Sequence, residues 1–290
     1  MKGRIIRGVG GFYYVYTDEG IYECRARGSF RKEGIKPLVG DDVEISVTSQ
    51  TDMEGSLDEI CERRSVLIRP AVANVDQALV FFACASPEPN LNLLDHFLAY
   101  MQQQKLETIL CFNKTDLADE AVVRHLREVY AGSGCPILSV SLLRGEGLEE
   151  LDRYLDGRTT VVAGPSGAGK SSLTNYLQPQ AAMEVGEVSR KIGRGRQTTR
   201  HTQLVRIRKD TYFLDTPGFS SLELDMPPGE LPECYPEFRP YIPKCYFDDC
   251  LHHREPDCAV KQAVERGEIN RERYGNYLLL LEELSSRRRY

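Results

Sequence analysis

Between residues 1 and 66 apolar and polar positions alternate in short runs: Phe12-Tyr13-Tyr14-Val15-Tyr16, Ile21-Tyr22-Glu23-Cys24 and Val43-Glu44-Ile45-Ser46-Val47. Gly10-Gly11, Asp18-Glu19-Gly20 and Val39-Gly40-Asp41-Asp42 separate them. A period of two punctuated by turn residues predicts strands joined by tight turns. About five such strands make a small antiparallel β-barrel. The mixture of aromatic and basic residues suits an oligonucleotide-binding barrel, but SH3-like barrels share the pattern, and a barrel that only braces its neighbour is the plain alternative.

After Arg69-Pro70 the period changes. Strands are expected at Gln77–Cys84, Glu107–Phe112, Pro136–Val140, Thr159–Ala163 and Tyr212–Asp215, and helices at Leu91–Gln104, about Asp119–Ala131, and Lys170–Tyr176. Such alternation predicts a mostly parallel sheet wrapped by helices. The proline-rich run Met226-Pro227-Pro228-Gly229-Glu230-Leu231-Pro232 marks a further boundary. Beyond a cysteine cluster, Ile269–Ser286 reads as a helix with an apolar face at Leu278 to Leu281. The expected architecture is therefore multi-domain: a β-barrel over 1–66, an α/β domain over 67–224 and a small, mostly α domain over 225–290.

A content of 41% apolar and 28% charged residues is that of an ordinary soluble protein, and no apolar run approaches the roughly 20 residues of a membrane span. Ile5-Ile6 is followed at once by Arg7 and glycines, which excludes a secretory leader and makes the cytoplasm the expected compartment. Nine cysteines, most set singly in apolar strands such as Leu110-Cys111-Phe112, argue against disulfides. A net charge of −6 argues against wholesale coating of nucleic acid. Local basic runs, Arg190, Lys191, Arg194, Arg196 and Arg200, then Arg287 to Arg289, could still meet a phosphate backbone or be solvated surface.

Gly164-Pro165-Ser166-Gly167-Ala168-Gly169-Lys170-Ser171 matches G-x-x-x-x-G-K-[ST] and lies between the strand Thr160-Val161-Val162-Ala163 and a helical stretch that continues through Ser172. In that context the glycines let successive N–H groups point at a β-phosphate. Lys170 then reaches the β and γ oxygens, and Ser171 ligates magnesium. A glycine-rich turn without a ligand is the plain alternative.

Asn113-Lys114-Thr115-Asp116 follows the strand Ile109-Leu110-Cys111-Phe112, at the strand end where ligands of open α/β sheets bind. The Asp116 carboxylate can accept two N–H bonds from the Watson–Crick edge of guanine, and adenine offers no such pair of donors. Alone, N-K-x-D is a common polar turn; beside a phosphate loop it reads guanine. Ser139-Val140-Ser141 could offer backbone N–H groups to the guanine O6. Asp215-Thr216-Pro217-Gly218 has the D-x-x-G form, with Asp215 near magnesium and the Gly218 N–H at the γ-phosphate, though Pro-Gly also suits a plain turn. One of Thr198 and Thr199 is expected to complete the magnesium shell. The expected ligands are GTP and GDP with Mg2+.

Cys245-x4-Cys250-x-His252-x5-Cys258 supplies four ligands suited to tetrahedral zinc, and four filled positions imply a structural ion. His253 and Cys234 are the substitutes if one ligand is misassigned, and reduced cysteines in a small core are the plain alternative.

The motifs are complete but permuted: guanine reader, phosphate loop, switch threonine, then D-x-x-G. This order, with a barrel before it and a cysteine cluster after it, resembles the RsgA (YjeQ-like) family of circularly permuted GTPases. The likeness covers essentially the whole chain. It implies an oligonucleotide-binding barrel that contacts rRNA, a permuted GTPase domain, a zinc domain with this C-x4-C-x-H-x5-C spacing, and hydrolysis stimulated by the small ribosomal subunit. A monomer without membrane contacts is expected.

Two positions depart from simple patterns. Phe219 stands directly after D-x-x-G, where many GTPases carry a water-orienting glutamine, and Gln197 stands where the resembled family carries a histidine before the switch threonines. Gln197 could orient water through its amide, and His201 is the competing candidate. The segment after Gly218 leads into the cysteine domain, so γ-phosphate contacts at Gly218 are expected to reposition it. The alternatives in other classes are a kinase or ATPase with a zinc module, which Asn113 to Asp116 opposes, and a nucleotide-gated RNA-binding scaffold with incidental hydrolysis.

Overall fold

The computed structural model describes residues 1–28, 30, 34–67, 71–184, 203–215 and 224–287, and only the backbone of 179–184, Asp215 and Arg287. In chain order the strands begin with β1 (Lys2–Val9), β2 (Phe12–Thr17), β3 (Gly20–Ala26), β4 (Asp42–Ser49) and β5 (Glu54–Ile60), followed by β6 (Val66–Leu67) and β7 (Val72–Ala73). Next come β8 (Gln77–Ala83), β9 (Glu107–Asn113), β10 (Ile137–Ser139), β11 (Thr159–Ala163), β12 (Leu204–Arg208) and β13 (Thr211–Asp215). The helices are α1 (Leu91–Gln103), α2 (Glu120–Tyr130), α3 (Leu148–Leu155), α4 (Lys170–Glu184), α5 (Ala259–Glu265) and α6 (Arg271–Arg287). The chain gathers into two compact units, 1–77 with 152–162 and 170–219, and 78–151 with 163–169 and 220–290.

In the first unit β1 to β5 close into a barrel in the order β1-β2-β3-β5-β4. β1 closes on β4, and β3 runs parallel to β5 while the other pairs are antiparallel. That order is the one of the oligonucleotide-binding barrel, which decides against the SH3-like reading. The strand alternation turns Ile5, Val15, Tyr22, Cys24, Val43, Ile45 and Leu57 into one buried core. Register shifts between Ile5 and Arg7 and between Val47 and Ser49 supply the bulges that bend strands into a closed barrel.

The same unit holds β11 parallel to β13, and β12 antiparallel to β13. Arg4 joins barrel to strands: it pairs with Asp42 at 2.7 Å, donates to Thr159 Oγ1 at 3.1 Å and lies 4.7 Å over the Tyr212 ring. Arg206 on β12 answers from the other side, donating to the Tyr16 hydroxyl and covering its ring at 4.6 Å.

In the second unit β10, β9 and β8 are neighbours, with β10 parallel to β9. β8 is buried at every position, as a strand covered on both faces must be. Asn90 caps α1 by accepting from the Leu93 N–H at 3.0 Å, and α1 buries Leu94, Phe97, Leu98 and Met101. Arg273 of α6 is fully buried, pairing with Asp95 of α1 and with Glu237 at 2.8 Å. Tyr130 and Tyr235 cover the guanidinium at 5.0 and 4.6 Å.

α3 and β12 were not foreseen as elements. α3 is short and buries only Leu148, Leu151 and Leu155, a period too brief to stand out. α4 runs to Glu184, past Pro179, although a proline removes one helical hydrogen bond.

Candidate functional site

β9 ends on Asn113, and the chain turns there with Lys114 at φ 64. Asn113 is buried, and its amide serves the protein: Nδ2 donates to the Ala168 carbonyl at 2.9 Å, and Oδ1 accepts from the Leu142 N–H at 3.3 Å. One side chain thus ties the N-K-x-D turn to the phosphate loop and to the segment after β10. Asp116 is half-buried, and its Oδ1 accepts from the Ser141 hydroxyl at 2.5 Å. Ser141 is buried and also accepts from the Arg144 N–H at 3.1 Å, so its hydroxyl proton is directed at the carboxylate. The Val140 N–H donates to Phe112 O at 2.8 Å, which commits it to the sheet, while Ser139 Oγ faces Arg127 at 3.2 Å. Of the run Ser139 to Ser141, therefore, Ser141 is the member joined to Asp116.

The phosphate loop leaves β11 at Gly164, whose φ of 153 and position leave no room for a side chain; a Cβ there would lie 2.1 Å from Phe81 O. At Gly169 (φ 102) a Cβ would lie 2.4 Å from Asn113 Nδ2. The two glycines are thus required by close approach as well as by backbone angle. Gly164 and Ala168 are buried, Pro165, Gly169 and Lys170 are half-buried, and Ser166, Gly167, Ser171 and Ser172 are exposed. Lys170 opens α4, so the loop delivers its N–H groups into a helix N-terminus, the arrangement that holds phosphate. In the first unit, Asp215 ends β13 opposite Val162 of β11, the same end of the parallel pair from which the loop departs.

Sequence reasoning missed the loop after β8. There the Lys114 ammonium donates to the Ser86 carbonyl, and a Cβ at Gly167 would lie 3.2 Å from Pro87 Cδ. Its place at a strand end was the available signal. Gln197, Thr198, Thr199, His201, Gly218 and Phe219 lie outside the described residues, as do Arg190, Lys191, Arg194, Arg196, Arg200, Arg288 and Arg289; Asp215 and Arg287 are described by backbone alone.

Cys245, Cys250, His252 and Cys258 converge, their ligand atoms all within 4.8 Å of one another. Cys245 Sγ lies 3.9 Å from Cys258 Sγ, and His252 Nδ1 lies 3.5 and 3.4 Å from those two sulfurs. Zinc–sulfur and zinc–nitrogen bonds at tetrahedral angles require edges of about 3.8 and 3.6 Å. The set therefore fits zinc, with Nδ1 as the imidazole donor. Burial lowers the His252 pKa, which keeps the imidazole neutral as a ligand must be, and pushes the Cys250 thiol up to about 12. Glu255 braces the loop by accepting from the Leu251 and His253 N–H groups at 2.9 Å each. Tyr274 and Tyr277 of α6 donate to the carbonyls of His252 and Leu251 at 2.6 and 2.7 Å.

Residues 60–225 match the family model described as RsgA GTPase, and residues 2–55 match the RsgA N-terminal domain. The chain belongs to the RsgA GTPase family. A protein of Agathobacter rectalis named small ribosomal subunit biogenesis GTPase RsgA is 48% identical over the whole of both chains. One of the same name from Caldanaerobacter subterraneus is 47% identical over all of this chain and 98% of its own. Among solved structures, YloQ, described as a circularly permuted GTPase, matches with TM-score 0.81 and 38% identity over 99% of this chain and 95% of its own. YjeQ from Thermotoga maritima matches with TM-score 0.83 and 37% identity over 98% of each. The chain is a GTP hydrolase whose guanine motif precedes its phosphate loop, so the permuted order and the resemblance drawn from it hold. The kinase and ATPase reading falls. No helix among the described residues is long and apolar enough to cross a membrane.

Proposed function

We propose that this GTPase acts in late assembly or maturation of the small ribosomal subunit, binding rRNA and hydrolysing GTP to GDP and phosphate with stimulation by the subunit. The observation that carries it is the union of a permuted guanine site, a barrel and a Cys₃His cluster in one chain that aligns end to end with proteins named for that role. Guanine is read by Asp116, oriented by Ser141. The backbone from Gly164 to Ser172 cradles the phosphates through the N–H groups of every residue except Pro165, Lys170 offsets charge on the β and γ oxygens, and the Gly218 N–H meets the γ-phosphate. Ser171, Asp215 and one of Thr198 and Thr199 would hold magnesium, which when bound neutralises phosphate charge. Gln197 orients the attacking water, with His201 as the competitor. Cys245, Cys250, His252 and Cys258 hold one structural zinc.

The barrel supports the rRNA contact with paired cations and rings: Arg7 lies 4.0 Å over Tyr14 and Arg25 lies 4.6 Å over Phe12. These pairs, with Arg25 exposed and Arg7, Tyr14 and Phe12 half-buried, suit base stacking beside a phosphate backbone. A barrel over 1–66, a GTPase domain over 67–224 and a zinc domain over 225–290, acting as a monomer in the cytoplasm, complete the reading; nine cysteines outside any disulfide suit that compartment.

Measuring GTP turnover with and without purified small subunits tests it. Slow unstimulated turnover that rises at least tenfold with subunits is expected; equal rates would favour the scaffold with incidental hydrolysis. Gln197→Ala should lose the stimulation. If it does not, and His201→Ala does while GTP binding survives, the water-orienting role passes to His201.

A further inference from the structure

Two residues of the loop after β8, Ser86 and Pro87, belong to no nucleotide-binding motif and yet meet the nucleotide motifs. Ser86 sits at φ 49, in the left-handed region that a non-glycine residue adopts only when its surroundings hold it there. Its carbonyl receives the Lys114 ammonium. Lys114 itself is left-handed at φ 64, so two adjacent strand ends turn to bring this donor and acceptor together. One residue on, Pro87 seats its ring beside Gly167, at the exposed crest of the phosphate loop; a Cβ at Gly167 would reach Pro87 Cδ at 3.2 Å and Cγ at 3.6 Å. Beneath them the Cys84 N–H donates to Asn113 O at 2.8 Å, and Asn113 Nδ2 reaches Ala168 O. A closed ring of contacts results: β8 end, Lys114, Asn113, phosphate loop, Pro87, and back to β8.

We propose that Ser86 and Pro87 are positioning residues of the nucleotide site, the Ser86 carbonyl fixing the Lys114 side chain beside the guanine reader and the Pro87 ring holding the phosphate loop at Gly167 in the same register. The inference rests on the nucleotide-site reading above and deepens it. Strained backbone held by its neighbours clusters at ligand clamps, and this strain lies on a loop that touches both the guanine motif and the phosphate loop. Preorganisation of this kind acts on affinity: a loop already held in its bound shape loses less freedom when nucleotide arrives. The Ser86 hydroxyl has no part in the clamp, because the carbonyl does the holding. Pro87 acts by ring packing.

The test uses the full-length chain and the fluorescent nucleotide mant-GDP. Pro87→Ala is expected to raise the Kd for mant-GDP about fivefold, the scale of one lost packing contact, and to leave kcat at saturating GTP within about twofold, a split that a general folding defect would not produce. Ser86→Ala, which keeps the carbonyl, should bind within about twofold of the parent. In a Lys114→Met background the Pro87→Ala effect should shrink, because both changes open the same ring. Should Pro87→Ala lower the melting midpoint, the mant-GDP Kd is compared at a temperature where circular dichroism shows both proteins fully folded, and the rise should persist there. An unchanged Kd in Pro87→Ala, full multiplication of the two effects, or a loss in Ser86→Ala as large as that in Pro87→Ala would each overturn the proposal. Asp116→Asn separates the layers. If it keeps the parent's mant-GDP affinity, the guanine-site reading fails; if it loses affinity while Pro87→Ala does not, the clamp alone fails.

Discussion

Asn113 and Asp116 stand three residues apart and do opposite kinds of work. The Asn113 amide is satisfied within the protein by Ala168 O and the Leu142 N–H, so Asn113→Ala should leave both partners short of a bond in a buried place. A loss of about 1 to 3 kcal/mol in unfolding free energy is expected by denaturant titration, with a matching loss of GDP affinity. Asp116, by contrast, keeps capacity for an outside donor pair after accepting from Ser141. Asp116→Asn turns an acceptor into a donor, and the expected result is at least a roughly hundredfold loss of GDP affinity with gain of xanthosine diphosphate, whose 2-carbonyl accepts that N–H. Competition binding with the two nucleotides checks it. For Glu255, burial works to raise the pKa, but backbone N–H bonds, including those from Leu251 and His253, hold it below the usual carboxylate range. A lowered folded pKa stabilises the protein above the unfolded value and loses that contribution as pH falls through the folded one. The melting difference between parent and Glu255→Gln should therefore be present at pH 7 and close as the pH falls through the lowered carboxylate pKa.

At the scale of elements, α6 is held by one buried charge. Burial draws the Arg273 pKa down to about 9, yet the pairs with Asp95 and Glu237 and the flanking Tyr130 and Tyr235 rings surround the guanidinium from all sides. Arg273→Met leaves two buried carboxylates, Asp95 and Glu237, without their cation, and a destabilisation of about 3 to 5 kcal/mol is expected in chemical unfolding. The cysteine loop is held in two ways, by the ligand set and by Tyr274 and Tyr277. Tyr235 and Phe238 stack at 5.1 Å beside the same tyrosines, so chelation should be visible as loss of near-ultraviolet dichroism. β8, β9 and the barrel strands were legible because each buries a pattern that sequence displays. α3 was not, because eight residues with three buried leucines make too short a period.

On the scale of the whole molecule, the segment that begins at Leu224 packs on α1 within the second unit. Gln103 Nε2 donates to Asp225 O at 2.9 Å, and Asn276 donates to Asp95 Oδ2 at 2.6 Å. Removing residues 225–290 would expose Asp95 and the apolar face of α1 that α6 covers. Such a truncation should aggregate or lose its cooperative melting transition, checked by size exclusion and calorimetry. Sequence alone displays the motifs of the proposed site, since Gly164 to Ser171, Asn113 to Asp116 and the four zinc-suited residues are local strings. It also determined the permuted order and the barrel's alternating face. The tertiary structure decided which distant residues meet: Lys114 with Ser86, Gly167 with Pro87, Ser141 with Asp116, and Arg273 with Asp95 and Glu237. Those pairings arise from chain packing across tens to hundreds of residues, and no local period records them, because a contact through space leaves its two partners separately ordinary in the sequence.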